Sequence, residues 1–336
     1  MNKVKFAVVG CGSIGKRHLA VIDAEPKAEL VAICDLDEKK CKEFSALYKV
    51  PYYTGYNELL KRDDIEVINI STPHGLHAEM AMEAARHKKH ALVEKPMALY
   101  VDDCRKMIEV AKENGVKLYM VKQNRFNAPI ALTKRAFDEG RLGKIFMVQC
   151  NVMWNRHQEY YESSDWRGRK AMEGGSLQTQ VSHFIDLMIW WLGDLVESKA
   201  IMDTMNHNIE IEDCGAAVLR FKSGTIGSLL WTTCVYNKNF EGSITLIGEK
   251  GTIKIGGQYL NKIEFWDVQS YPLPDDIEFT DKPNNYGKYQ GTSSNHDKVV
   301  QELTAALMKE RSNCVEGDEG IKTIEAIEMI YRSAGH

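Results

Sequence analysis

Residues 10–15 read Gly-Cys-Gly-Ser-Ile-Gly, directly after an apolar run at 5–9 and directly before a helical pattern. A strand that ends in GxGxxG and turns into a helix fits a parallel sheet with crossover helices and little else. Gly10 permits the tight turn, Gly12 lets backbone approach a pyrophosphate, and Gly15 lets helix and strand pack closely. The helix start, with Ser13 and Ile14, turns unpaired N–H groups and partial positive charge towards phosphates. The next apolar run, 30–34, ends at Asp35, 20 residues after Gly15. At that spacing a carboxylate meets the adenosine ribose, and it repels a 2′-phosphate. Leu36 follows where an arginine would favour the phosphate, so the pattern predicts NAD rather than NADP. The bland alternative is a tight turn and a helix-capping aspartate.

Apolar runs recur at 67–71, 91–93 and 117–121, separated by helical patterns at 38–48, 77–87 and 101–113. Continuous apolar strands alternating with helices predict an α/β class with a doubly wound parallel sheet, whose ligands bind beyond the strands' carboxyl ends. The 336 residues suit about two domains. A net charge of −4 removes broad attraction to nucleic acid or anionic membrane. No run approaches the ~18 apolar residues of a membrane span, and the one at 6–9 is too short for a signal peptide. Eight scattered cysteines without a CxxC pair read as reduced thiols of a cytoplasmic protein, with neither disulfides nor a metal site.

Two strand ends carry unusual residues. Strand 67–71 leads into Thr72-Pro73-His74 and then His77; strand 91–93 leads into Glu94-Lys95-Pro96. A histidine after a strand is usually exposed. Lys95 at the end of a central parallel strand is placed for chemistry, because desolvation beside a cationic ring would favour a neutral amine. Its alternative is a side chain that snorkels outward.

These motifs together resemble the Gfo/Idh/MocA oxidoreductase family over essentially the whole chain. The resemblance implies an N-terminal Rossmann domain over 1–124 and a C-terminal α+β domain over 125–336 with a largely antiparallel, open-faced sheet. It implies Lys95 as a catalytic residue. Implied cofactor contacts are Gly10, Gly12, Ser13, Ile14, Gly15, Asp35, Thr72, Pro73, His74, His77, Glu94, Lys95 and Gln123.

In the second half, residues 128–139 read as a helix and β-rich stretches follow at 144–154, 214–221, 225–236, 243–247, 251–255 and 262–266. Ser223-Gly224 and Gly248-Glu249-Lys250-Gly251 are hairpin signals. The open face of such a sheet suits an oligomer interface, with ordinary core packing as the alternative. The segment 176–192 reads as a buried helix, yet Thr179, His183 and Asp186 form one polar stripe. A buried stripe of this kind points to a polar cavity; a core histidine bonded to Asp186 is the other reading. The family pattern has an aspartate where Thr179 stands, which argues against inositol or simple sugar dehydrogenases and leaves Lys95 and His183 as the pair for proton transfer.

The stretch 154–175 lacks periodicity and interleaves Arg156, Tyr160, Trp166 and Arg167. Arginines among aromatics suit stacking on a base and forked bonds to phosphate or carboxylate; a mobile surface loop is the alternative. A second polar loop spans 281–295 and ends near a helix start at His296. The motifs at 123–127, 154–161, 165–168 and 249–252 resemble the branch of the family that oxidises the 3′-hydroxyl of UDP-N-acetyl-2-amino-2-deoxyglucuronate with NAD in bacterial surface-polysaccharide (LPS O-antigen) synthesis. That resemblance implies a homo-oligomer, a tetramer or dimer. It also implies a UDP-sugar site including Lys95, Arg125, Arg156, Tyr160, Trp166, Arg167, Thr179 and His183. Rival expectations are a neutral UDP-N-acetylglucosamine substrate, an inositol or other sugar dehydrogenase, and a catalytically silent dinucleotide sensor.

Overall fold

The computed structural model describes residues 3–275, 283–285 and 290–336; residues 281–282 and 286–289 of the second polar loop lie outside the described residues. The chain forms two compact units, one of residues 1–122 with 296–321 and one of 123–295 with 322–336. The first part of this division falls close to the expected boundary at 124. The remainder differs from an uninterrupted domain over 125–336, because residues 296–321 return to the first unit.

The first unit holds strands β1 (Val4–Val9), β2 (Ala28–Cys34), β3 (Tyr52–Tyr53), β4 (Val67–Ile70), β5 (His90–Val93) and β6 (Leu118–Met120). Its helices are α1 (Ser13–Ala24), α2 (Glu38–Tyr48), α3 (Tyr56–Leu60), α4 (His77–Arg86) and α5 (Val101–Glu113). The second unit supplies α6 (Ala128–Asp138), β7 (Ile145–Met153), α7 (Gln158–Glu162), α8 (Ser182–Leu192), β8 (Leu195–Asp203), β9 (Cys214–Phe221) and β10 (Ile226–Thr232). It continues through β11 (Glu241–Gly248), β12 (Gly251–Gly256), β13 (Lys262–Val268), β14 (Pro283–Asn285) and β15 (Gln290–Ser293). Last come α9 (His296–Leu307), β16 (Val315–Glu316) and α10 (Gly317–Ser333).

In the first unit the sheet order is β16-β6-β5-β4-β1-β2-β3, parallel throughout except for β16. The strand order reverses beside β1 and β4, which is where such sheets bind ligands. Burial explains the continuous apolar runs: Phe6, Ala7, Val8, Ile68 and Ile70 are fully enclosed. The glycine turn is enforced by contact. Gly10 has φ +89°, and a Cβ there would lie 2.5 Å from the carbonyl oxygen of Ser71; one on Gly15 would lie 1.8 Å from the carbonyl oxygen of Gly10. A Cβ on Gly12 would meet nothing within 4 Å.

The second unit's sheet runs β13-β12-β11-β7-β10-β9-β8, antiparallel except for the β10–β7 pair. Both hairpin signals join antiparallel neighbours, β9 with β10 and β11 with β12. Leu229 and Trp231 point into the core, while Leu230 lies on the open face with Met147, Val218, Ile226 and Ile247. The expected strand 225–236 stops at Thr232, after which Asn155 and Cys234 form a single bridge. The described residues contain no helix long and apolar enough to cross a membrane, and all eight cysteines are free.

Gly15→Ala should lower stability by about 1–3 kcal/mol, the usual cost of overfilling a packed site. A urea titration with unchanged midpoint would contradict the contact described.

Candidate active site

At the end of β1, α1 begins with Gly12 as its cap and no side chain bonded to the cap position. The open space at Gly12 and the uncapped helix start fit a pyrophosphate. Asp35 is fixed from behind: Oδ2 accepts from the Cys11 N–H at 2.6 Å and Oδ1 accepts from the Asp37 N–H at 2.8 Å. Capping of α2 falls to Asp37, which accepts from the N–H groups of Lys39 and Lys40. The capping alternative raised for Asp35 therefore belongs to its neighbour. These residues fit NAD, to whose ribose hydroxyls Asp35 would offer its carboxylate.

The β4 end is tied to the β5 end by one ring. His77, fully buried, has Nε2 at 2.9 Å from the Thr72 carbonyl and Nδ1 at 2.8 Å from the Pro96 carbonyl. Burial pushes its pKa down, and the two carbonyls work the other way. His77 thus lies between two loops from the inside, contrary to the exposed reading; kept neutral by burial, it has one N–H to donate to one of these two carbonyls. His74 is buried beside it, ring centres 5.6 Å apart. Thr72 Oγ1 lies 3.4 Å from Met80 Sδ.

Glu94 is also turned inward. Oε1 accepts from His18 Nε2 at 2.7 Å, and Oε2 accepts from the Lys95 N–H at 3.1 Å. Its carboxylate is therefore tied to the protein's own groups through both oxygens. Lys95 follows at the carboxyl end of β5, half-buried, in the place the motif predicts. Gln123 belongs to the second unit, buried in a short 3-10 helix over Gln123–Phe126.

In the second unit, the predicted helix 176–192 is two elements: a π-helical turn over Leu177–Val181 and then α8. Such turns are rare and cluster at functional sites. Thr179 lies in this turn and His183 in the first turn of α8, both buried. The third residue of the stripe is spoken for. Asp186 receives a forked bond from Arg125, Nε to Oδ2 at 2.8 Å and Nη2 to Oδ1 at 2.9 Å. Thr323 Oγ1 adds a third donor at 3.3 Å, and the Arg125 guanidinium lies 4.8 Å from the Trp190 ring centre. The fork makes Arg125 a strut for α8.

The π turn starts on a second buried acid. Glu212 Oε1 accepts from Ser176 Oγ at 2.8 Å, the Leu177 N–H at 2.9 Å and Tyr331 Oη at 2.8 Å. Burial raises its pKa, against the pull of these donors. Gly175 is required there, since a Cβ would sit 1.9 Å from Tyr331 Oη. Neither Glu212 nor Tyr331 was singled out by sequence; an adjacent acid pair, Glu212-Asp213, just before an apolar strand was the available signal.

The 154–175 stretch is packed. Arg156 is enclosed between aromatic faces, 5.4 Å from Trp154 and 5.3 Å from Tyr160, and donates to Gln180 Oε1 at 2.8 Å and the Asn155 carbonyl at 2.6 Å. Arg167 lies 4.1 Å over the same Tyr160 ring and 5.5 Å from Trp166. Tyr160, Tyr161 and Ile211 form a small core. Arg156, Tyr160, Trp166 and Arg167 are thus gathered around one aromatic surface, with Trp166 and Arg167 the half-exposed members.

Comparison with known proteins was consistent with both units. Residues 4–123 match the model of an oxidoreductase family with an NAD-binding Rossmann fold, and residues 130–254 match the GFO/IDH/MocA C-terminal domain. The WlbA dehydrogenase of Bordetella pertussis, solved with NADH and UDP-GlcNAcA, is 36% identical, with 99% of this chain and 97% of that one covered at TM-score 0.90. The WlbA dehydrogenase of Chromobacterium violaceum, solved with the same two molecules, is 34% identical over 100% of this chain and 94% of that one at TM-score 0.91. A 1-carboxy-3-chloro-3,4-dihydroxycyclohexa-1,5-diene dehydrogenase of Comamonas testosteroni is 28% identical over 74% of this chain, which spans 63% of that protein's length.

Asp35→Ala should raise the KM for NAD by roughly 10-fold or more, the worth of charge-assisted bonds to the ribose, and narrow the preference over NADP. Steady-state kinetics with both cofactors would test it. Stability should fall as pH drops below the ordinary histidine value of 6.5, because burial keeps His77 and His296 neutral in the fold. The unfolded chain then binds the extra protons, so stability rises with pH up to that value and levels off above it. Urea midpoints between pH 5 and 8 would reveal a flat profile if the two rings titrate normally.

Proposed function

Because this chain belongs to the Gfo/Idh/MocA family of NAD-dependent oxidoreductases, we propose that it oxidises the 3′-hydroxyl of a UDP-N-acetylamino sugar, UDP-N-acetyl-2-amino-2-deoxyglucuronate, to the ketone. The observation carrying this reading is likeness along 99% of the chain to a dehydrogenase solved with NADH and UDP-GlcNAcA. Bound NAD supplies the hydride acceptor. The chain's own residues manage the proton: Lys95 and His183 act on the hydroxyl, one taking its proton and the other stabilising the oxyanion as the C–H bond breaks. Arg156, Tyr160, Trp166 and Arg167 are the candidates for holding the nucleotide-sugar, by stacking and forked bonds. The 3-keto product is suited to transamination, consistent with a cytoplasmic step in surface-polysaccharide synthesis.

A second copy of the chain is our proposed cover for the open sheet face. Met147, Ile226 and Ile247 share one row across three adjacent strands, each more than a third exposed. Sedimentation should find the protein larger than a monomer, with Ile226→Asp shifted towards the monomer; a monomeric wild type would remove the proposal.

The activity test combines protein, NAD and the UDP-aminouronate, with absorbance of NADH and the mass of the keto-sugar as readouts. Turnover should fall by roughly 100-fold or more in Lys95→Ala and in His183→Ala, the range of positioned acid–base groups. Preference for UDP-N-acetylglucosamine would reassign the substrate to the neutral sugar. Wild-type rates in Lys95→Ala would end the mechanism.

A further inference from the structure

We propose that the carboxylate of Glu94 is a positioning residue for Lys95, hydrogen-bonded to His18 on the dinucleotide-binding helix and enclosed beside His296 at the start of α9. The inference rests on the reading of Lys95 as a proton-transfer group. All four residues belong to the first unit.

The hydrogen bonds define a direction. Ser71 Oγ donates to Asn69 Oδ1 at 2.9 Å, which turns Asn69 Nδ2 towards His18 Nδ1 at 3.2 Å. His18 Nδ1 is then the acceptor, so the ring hydrogen sits on Nε2, aimed at Glu94 Oε1 at 2.7 Å. His296 Nε2 approaches the same oxygen at 3.5 Å, and its ring meets that of His18 edge to face, centres 5.2 Å apart. Both rings are fully enclosed. The other oxygen, Oε2, accepts the backbone N–H of Lys95, while His77 holds the Pro96 carbonyl two peptides on. Lys95 is therefore flanked along the chain by two backbone groups, each in contact with a buried side chain.

Burial opposes the charge on Glu94, yet the two imidazoles hold its pKa well below the usual carboxylate range. A buried acid with its partners is seldom more stabilising than well-packed apolar side chains of the same volume. The arrangement makes better sense as geometry than as stability. A carboxylate and two imidazoles are also a cation-binding set, but the hydrogen on His18 Nε2 already occupies the direction a metal would need. His18 lies one turn beyond the glycine turn on α1, so the same carboxylate ties the phosphate-binding helix to the lysine.

The test measures kcat, both KM values and NADH binding with UDP-aminouronate as substrate, alongside deuterium exchange of the peptide covering 94–99. Glu94→Gln should lose roughly 10- to 100-fold in kcat, the scale of a misplacement near 1 Å, with KM values within about 3-fold of wild type. Glu94→Asp should fall between the two, and Glu94→Ala should speed exchange at Lys95. If Glu94→Gln fails to fold, His18→Leu must show the same selective fall in kcat. A lowered melting temperature with wild-type kcat, or unchanged exchange in Glu94→Ala, overturns the inference. The failures are separable: full activity of Lys95→Ala removes the reading of the lysine, whereas an essential Lys95 with an indifferent Glu94 removes only this proposal.

Discussion

The closeness of Gly15 to the Gly10 carbonyl is the contact from which the first unit is organised. With 1.8 Å available where a Cβ would stand, α1 can reach the sheet only over bare backbone. That approach does three things at once. It leaves the start of α1 open for phosphate, seats the turn against Ser71 at the neighbouring strand end, and buries His18 deep enough to meet Glu94. Side chains that look unrelated in sequence thus become neighbours at the strand ends, where parallel sheets place their ligands.

The second unit solves a different problem. A helix rich in Leu, Ile, Phe and Trp is made to carry polar residues, and each needs a partner in the interior. Asp186 obtains a forked guanidinium from Arg125. The start of the π turn obtains Glu212, which satisfies N–H and hydroxyl donors that an α-helical start would leave to solvent. The turn itself departs from regular geometry, and the two buried acids on either side of it hold that departure in place.

Much of this was legible beforehand because it depends on local rules. Gly10, Gly12, Gly15 and Asp35 act through turn geometry and spacing within one βαβ unit, and hairpins such as the one at Ser223-Gly224 are set by two residues. The rest depends on pairing over long separations. That His77 bonds to Pro96 and that Arg125 bonds to Asp186 follow from packing, which periodicity does not encode. His18 was overlooked although it lies on the apolar face of α1 with Leu19 and Ile22; a polar side chain on a buried face is a signal that a partner exists. The π turn was hidden for another reason: the apolar pattern over 176–192 is dense enough to suit either winding.

The return of residues 296–321 to the first unit has a consequence for biogenesis. As the chain leaves the ribosome, the strands up to β6, ending at Met120, emerge early, but His296, which closes over His18, and β16, which pairs with the outer edge of β6, arrive only 176 and 195 residues later. Until then the nascent sheet keeps a raw edge and Glu94 lacks one of its imidazoles. Late-arriving partners of this kind slow folding and prolong exposure of sticky surface, so the dinucleotide half should reach its finished form among the last parts of the polypeptide, despite being the first translated.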